Sequence, residues 1–203
     1  MKIISFITSA DKNFTYLIYD DSKTGVLVDP SFMIDDIIRT IERDHINVAY
    51  ILNTHDHVDH TASNDTFVSL TGAKVIAHRR ANVSKDKVVD DNSNIKVSTM
   101  NFKVIYTPGH SKSSVCYLIN DSLFTGDTLF VGECGRTDLP GGSIEELYDS
   151  LFNKLCKLPD HIKVYPGHDY GPRTTSTIGD EKKTNYTLKP RTLDEFIRFM
   201  TEP

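Results

Sequence analysis

The chain has 203 residues, 38% of them hydrophobic and 25% charged, enough to bury one substantial core and short for two, so a single domain over residues 1–203 is expected. Its 23 basic and 28 acidic residues leave a net charge of −5, and no Lys/Arg run or stripe tracks a phosphate backbone, so nucleic acid is not an expected partner. Cys116, Cys134 and Cys156 form an odd, widely spaced set without a C-x-x-C pair, which argues against a disulfide framework or a cysteine zinc site and for a reducing, cytoplasmic compartment.

In chain order, "MKIISFITSA" carries a short apolar run that Asp11 and Lys12 interrupt; it reads as a first strand and not as a signal peptide. No stretch approaches about 18 consecutive apolar residues, so no membrane partner is expected. "NFTYLIYD" and "GVLVDP" flank a polar turn at Asp21–Thr24 and predict an antiparallel pair. Ile34, Ile37, Ile38 and Ile41 recur at three and four, the face of an amphipathic helix, and "VAYIL" predicts a buried strand behind it.

A helix is expected around Asp65 to Leu70, followed by strands at "AKVIAH", "NIKVSTM", "FKVIYT", "SVCYLI" and "SLFTGD". Ser143 with Glu146 predicts a capping box, and Ile144, Leu147, Tyr148, Leu151, Phe152 and Leu155 continue at helical spacing. "KVYPGH" is a further strand, "DEKK" at Asp180 to Lys183 reads as a helix start with a solvated face, and Thr192 with Glu195 caps a last helix through "LDEFIRFM". Strands and helices mixed in this way predict an α/β layered domain, two sheets faced by helices. The last strand-to-helix segment could serve as the edge of a homodimer.

The chemistry concentrates at strand ends. "NTHDHVDH", Asn53 to His60, spends three of the chain's 8 histidines in one short stretch. His55 and His57, two apart, can grip one ion, while Asp59 and His60 face an adjacent position; imidazole with carboxylate suits zinc, iron or manganese. Three later strands run into a glycine and then a polar residue: "YTPGH" at His110, "LFTGD" at Asp127 and "VYPGH" at His168. Each glycine is expected to permit unusual backbone angles that aim the next side chain at a shared edge. Together these stretches supply up to seven ligands, enough for one metal or two. His45, His78 and His161 match no motif and read as surface or structural residues. Cys134 reads as a small core residue.

"VLVDP", "THDHVDH", His110, "TGD" at Asp127 and "PGH" at His168 resemble the metallo-β-lactamase superfamily, over about Gly25 to His168. The resemblance implies an αββα sandwich, two mixed sheets flanked by helices, and a metal-dependent enzyme. It also makes Asp29 a buried support for the metal loop and not a ligand; from sequence alone a turn aspartate before Pro30 is an equal reading. A metal-binding scaffold without turnover is a third possibility, but its usual flavodoxin partner domain is not encoded.

Two branches of that superfamily act on thiol conjugates. "ECGRTD" at Glu133 to Asp138, the segment from Tyr165 through Asn185 and the late "LDEFIRFM" resemble the persulfide dioxygenases. The glyoxalase II hydrolases carry a helical C-terminal extension, for which the stretch after His168 is too short. The dioxygenase resemblance implies one Fe(II) on His55, His110 and Asp127, oxidation of a glutathione-like persulfide by O2 to sulfite and thiol, and supporting positions for His57, Asp59, His60 and His168. The hydrolase resemblance implies His55, His57 and His110 on one ion, Asp59, His60 and His168 on a second, and Asp127 between them, with two zinc ions or a zinc/iron pair cleaving a thioester. His57 and Asp59 are the expected catalytic residues. Arg136 and Tyr170 are expected at the thiol substrate, with an Arg136–Asp138 anchor as the alternative for the arginine. Asp56 and Val58 depart from the dioxygenase branch, and Asp56 is more typical of the hydrolases.

Overall fold

A computed structural model describes residues 1–202. Among them the first half of the chain builds β1 (Lys2–Ile7), β2 (Phe14–Tyr19), β3 (Thr24–Val28), α1 (Asp35–Asp44), β4 (Asn47–Leu52), α2 (Val58–Thr61), α3 (Asn64–Thr71), β5 (Lys74–His78) and β6 (Lys87–Val89). The second half adds β7 (Asn94–Val97), β8 (Met100–Tyr106), β9 (Val115–Ile119), β10 (Ser122–Gly126), α4 (Ile144–Tyr148), β11 (Lys163–Pro166), β12 (Ser176–Thr177), α5 (Ile178–Thr184) and α6 (Leu193–Thr201). The first sheet runs β1-β2-β3-β4-β5-β6 and the second β12-β11-β10-β9-β8-β7. Both are mixed, with β3-β4-β5-β6 and β10-β11 parallel and the other pairs antiparallel.

The two-residue period of a strand sorts the apolar side chains into layers. In β2, Phe14, Tyr16 and Ile18 enter the core between the sheets, where they meet Val115, Tyr117 and Phe124 of the second sheet. Leu17 and Tyr19 point the other way and pack with Ile37 of α1 and Phe67 of α3. On the far side Cys116 and Leu123 pack with Leu147, Leu151, Ile178 and Phe196. The order helix, sheet, sheet, helix is the αββα sandwich, and it explains why every residue of β2 is buried: both faces of its sheet are covered.

The predicted strands, the helices at α1, α3 and α6 and the Thr192–Glu195 capping box are all present. The short elements α2, β6 and β12 carried no periodic signal long enough to find. The helix at Ser143 differs from expectation. It is α-helical only through Tyr148, then widens to a π-helical turn at Asp149–Lys154 and a 3-10 turn at Leu155–Lys157. Its predicted capping box is half formed: Ser143 Oγ accepts from Glu146 N at 3.2 Å, but the Ser143 amide donates to Gly109 O at 2.8 Å. Ser150 Oγ, within the widened turn, donates to Pro108 O at 2.7 Å. Two anchors to the Pro108–Gly109 turn therefore replace regular capping and helix geometry, and they hold the residue that follows, His110.

The glycine expectation holds at Gly109 and Gly126, whose φ angles are +137° and +49°. At Gly167 it fails, because φ is ordinary there; the constraint is space, since a Cβ would stand 2.2 Å from Asp127 Oδ1. Glu181 also departs from the solvated face expected of "DEKK". It is buried and accepts from Gly132 N at 2.7 Å and Asn185 Nδ2 at 2.8 Å, tying α5 to the loop after β10.

Candidate metal centre

Strands β8, β10 and β11 run in one direction, so the turns after them emerge at one edge of the second sheet. They carry His110, Asp127 and His168. The turn after β4, with His55 and His57, and the short α2 that follows it, with Asp59 and His60, reach the same place from the first sheet. The open edge of a sheet sandwich is where side chains from several strand ends can converge without breaking a ladder.

Among the described residues three groups could hold an ion: His55 with His57 and His110, Asp59 with His60 and His168, and Asp29 with His55 and His60, the last sharing one histidine with each of the first two clusters. In the first, His57 Nδ1 lies 3.1 Å from His55 Nε2 and 3.0 Å from His110 Nε2. In the second, His60 Nε2 and His168 Nε2 are 3.2 Å apart, and each is 3.4 Å from Asp59 Oδ2. Asp127 stands between: Oδ2 is 3.5 Å from His110 Nε2 and 3.3 Å from His168 Nε2, and Oδ1 is 3.3 Å from His60 Nε2.

These distances fit a metal. A tetrahedral ion about 2.0–2.1 Å from each nitrogen holds them roughly 3.3 Å apart. Ring nitrogens with lone pairs converge this closely only around a proton or a cation. Asp127 Oδ1 is buried without a hydrogen-bond partner, His60 Nε2 being out of line for one; a buried carboxylate oxygen left so is satisfied by a cation.

The other nitrogen of four histidines is held by the protein, which fixes the direction of the converging one. His110 Nδ1 donates to Arg136 O at 2.8 Å, and His168 Nδ1 to Asp11 O at 2.9 Å. His55 Nδ1 meets Thr54 Oγ1 at 3.0 Å, and that hydroxyl donates to Asp29 Oδ2 at 2.5 Å. His60 Nδ1 reaches the same Asp29 Oδ2 at 3.1 Å, and Thr54 N donates to Asp29 Oδ1 at 2.7 Å. Asp29 Oδ2 thus contacts the ring of His60 and the hydroxyl behind His55, one histidine of each cluster, while Oδ1 holds the backbone of Thr54.

Electrostatics separates the clusters. Burial, aided by the charge on His60, pushes His55 well below the ordinary histidine range, and burial lowers His110, so both offer neutral lone pairs. Burial acts the same way on His60 and His168, but Asp127, Asp29 and Asp59 outweigh it: His60 is raised well above the ordinary range and His168 is raised to about 9. Burial would raise Asp59 and Asp127, and contacts with His60 and His168 instead hold both far below it. Without an ion His60 and His168 favour their protonated form beside the ionised carboxylates.

Beside the centre is a cavity of about 280 Å³ lined by His110, Asp127, Phe130, Glu133, Cys134, Arg136 and Tyr170. Tyr170 stacks on His168 with ring centroids 4.6 Å apart. Arg136 lines the cavity while its guanidinium takes both oxygens of Asp138 at 2.6 and 2.5 Å, with the side chain 62% exposed. Burial pushes the Cys134 thiol up to about 12, as befits a core residue in the cavity wall. Asp56 is engaged away from the donors, accepting from Ser113 Oγ at 2.5 Å and Asn82 N at 2.7 Å. Of the histidines outside the motifs, His45 and His161 are exposed and His78 is buried against Tyr106.

Sequence reasoning missed Asn13, whose buried amide touches the second cluster, and the orienting groups Thr54 and Asp11 O. Only Thr54 adjoins a motif; the others come close through folding alone.

The match to the metallo-beta-lactamase superfamily spans residues 9–87 and 83–168. The chain belongs to that superfamily. Among its relatives is the persulfide dioxygenase ETHE1, mitochondrial, of Bos taurus, 33% identical over 201 residues that cover 92% of this chain and 75% of the relative. Another is the hydroxyacylglutathione hydrolase of Francisella tularensis subsp. novicida, 37% identical over 189 residues, or 89% and 74% of the two chains. The solved structure of ETHE1 from Myxococcus xanthus superposes with a TM-score of 0.95 at 34% identity, covering 100% of this chain and 91% of that one. Both branches expected from the sequence are therefore represented among the relatives of this metallo-β-lactamase-fold enzyme. Among the described residues no helix is long and apolar enough to cross a membrane.

Proposed function

We propose that this protein is a persulfide dioxygenase that oxidises a low-molecular-weight, glutathione-like persulfide, with O2 and water, to sulfite and the free thiol. The observation that carries this reading is the likeness to the Myxococcus xanthus structure through the whole chain, including the C-terminal part that builds the wall behind the substrate cavity. There Asn185 Nδ2 donates to Glu133 O at 3.1 Å and Tyr186 OH donates to the Glu133 carboxylate, so the C-terminal part braces Glu133, a residue of the cavity wall beside Cys134 and Arg136.

In this reading His55, His110 and Asp127 would hold one Fe(II), which would supply the redox chemistry for oxidising the sulfur. The neutral rings of His55 and His110 and the ionised Asp127 are the states that such ligands need. Tyr170 and Phe130 give the cavity an apolar side for the sulfur-bearing arm, and Arg136 gives it a cation for a carboxylate of the thiol carrier. His57 and Asp59 present ionisable groups to the centre and are assigned the proton handling. The three free cysteines accord with a reducing compartment, taken here as the cytoplasm.

The two complete donor clusters favour one second reading, a thioester hydrolase. His55, His57 and His110 would hold one ion, Asp59, His60 and His168 another, and Asp127 both, with zinc or a zinc/iron pair as the metal.

Metal content per chain, in protein purified anaerobically without added metal, separates the two readings when paired with O2 uptake on glutathione persulfide and cleavage of a hydroxyacyl thioester. One iron with persulfide-dependent O2 uptake, abolished by Asp127→Ala, is the expected result. Two ions with thioester cleavage and no O2 uptake would establish the hydrolase instead.

A further inference from the structure

In the first cluster His55 and His110 are buried and His57 is half-buried. His57 opens on a cavity of about 240 Å³ that shares no residue with the one beside Arg136; Asp56, Arg80, Lys112, Ser113 and Gly141 are among its walls. The cluster therefore faces two openings, one at His110 and one at His57.

Two cations stand in the second opening, and the fold holds both. Arg80, two residues past β5, donates from Nη1 to Tyr106 OH at 3.1 Å, with its guanidinium carbon 5.9 Å from the centre of that ring. Tyr106 OH in turn donates to Lys112 O at 2.9 Å, and the ring stacks on His78 at 4.3 Å between centroids. The Lys112 stem runs beside the Gly141 turn, where a Cβ on the glycine would lie 3.5 to 3.8 Å from it. Asp56, the acid in this cavity, is already engaged by Ser113 Oγ at 2.5 Å and Asn82 N at 2.7 Å. That second bond ties the loop carrying Arg80 to the turn carrying His57.

The charge of these two residues is free for a ligand. Among the described residues no carboxylate pairs with Arg80 or Lys112, whereas Arg79 pairs with Asp90 and Arg136 with Asp138. A guanidinium has five N–H donors, and Tyr106 takes one of those on Arg80. In a chain of net charge −5, two unpaired cations beside a histidine of the centre form a local anion-attracting mouth.

We propose that Arg80 and Lys112 form an anion subsite that takes a carboxylate of the thiol carrier on the His57 side of the centre. A glutathione-like carrier bears a carboxylate at each end and its sulfur on a branch between them, so a sulfur at the centre can send one end toward each opening. The subsite rests on the thiol-conjugate reading of the centre, which the dioxygenase and the hydrolase share, and not on the choice between them.

The test is calorimetry with S-methylglutathione, an unreactive conjugate suited to either chemistry, and with its dimethyl ester. The proteins are metal-loaded wild type, Arg80→Gln, Lys112→Gln and the double variant. Wild type is expected to bind the diacid more tightly than the diester, with an affinity that falls as salt rises. The double variant should bind the diacid roughly tenfold more weakly and the diester unchanged, each single variant falling between. Arg79→Gln, which removes a charge already paired with Asp90, should alter neither affinity. Wild type that binds the diacid no more tightly than the diester overturns the proposal, as does a folded double variant with wild-type affinity or an equal loss in Arg79→Gln. A double variant that loses affinity for sulfite alone would seat a product anion there and overturns it too. O2 uptake on glutathione persulfide, measured on the same samples, keeps the two proposals apart. Arg80-dependent binding without uptake removes the dioxygenase reading and leaves the subsite; uptake with a KM and an affinity that the double variant does not change does the reverse.

Discussion

Asp29 and His60 meet through one contact, Oδ2 to Nδ1 at 3.1 Å, and the same oxygen accepts from Thr54 Oγ1, which holds His55. One buried carboxylate therefore aims a histidine in each donor cluster. Its backbone lies in the left-handed region, φ +49°, a conformation that aspartate tolerates better than most residues.

Asp29→Asn keeps the shape but puts an NH2 where one oxygen now accepts. We expect metal affinity to fall roughly 10–100-fold, with about 1–3 kcal/mol of stability lost from the unpaired buried groups. Metal titration and denaturant unfolding check the two effects separately; unchanged affinity would show that Asp29 does not orient these rings.

Gly167→Ala acts on the centre by volume. The added Cβ would stand 2.2 Å from Asp127 Oδ1 and 2.9 Å from His60 Cε1. Bound metal should be lost while the far-ultraviolet circular dichroism stays that of the wild type, because φ at this position suits alanine. Full metal content in the variant would contradict the packing described.

Phe196 on α6 lies far from the chemistry. It is fully buried, with ring centroids 5.6 Å from both Tyr148 and Phe152 and 6.0 Å from Phe199. Phe196→Ala should cost about 3–5 kcal/mol, read as a lower denaturant midpoint, with the metal content of the folded fraction unchanged. A selective loss of metal would mean that α6 does more than cover the second sheet.

The metal-free chain should lose stability toward alkaline pH. His168 is raised in the folded chain from 6.5 to about 9, burial being outweighed by Asp127 and Asp59. A raised folded value contributes fully below about pH 6.5 and is lost as pH rises through about 9. Thermal midpoints of metal-free protein between pH 6 and 10 are expected to fall across that window, and His168→Gln should flatten the fall. A midpoint that rises there would place the proton elsewhere.

Much of this protein is legible in its residue order. The strand periods, α1 and the last capping box are local patterns, and local patterns survive without knowledge of partners. The candidate donors lie close behind strand ends, His55, His57, His110, Asp127 and His168 in turns and Asp59 and His60 in the short α2, so the motifs alone nominate them as one set.

Other features depend on neighbours distant in the chain. Ser143 and Ser150 leave regular capping and helix geometry because Gly109 and Pro108 offer acceptors. Glu181 is buried because Gly132 and Asn185 surround it. Arg136 carries the charge expected at the cavity, but folding also places Asp138 against it.

The ligand types, their succession along the chain and the layered architecture are written in residue order, because spacing along a strand sets which way each side chain points. Folding alone settles how the seven donors divide into two clusters around Asp127, and that Asn13 enters one of them. The reason is separation: Asn13 and His168 are 155 residues apart in the chain yet within 3.3 Å in space. No local pattern records a contact made by two sheet edges closing on each other.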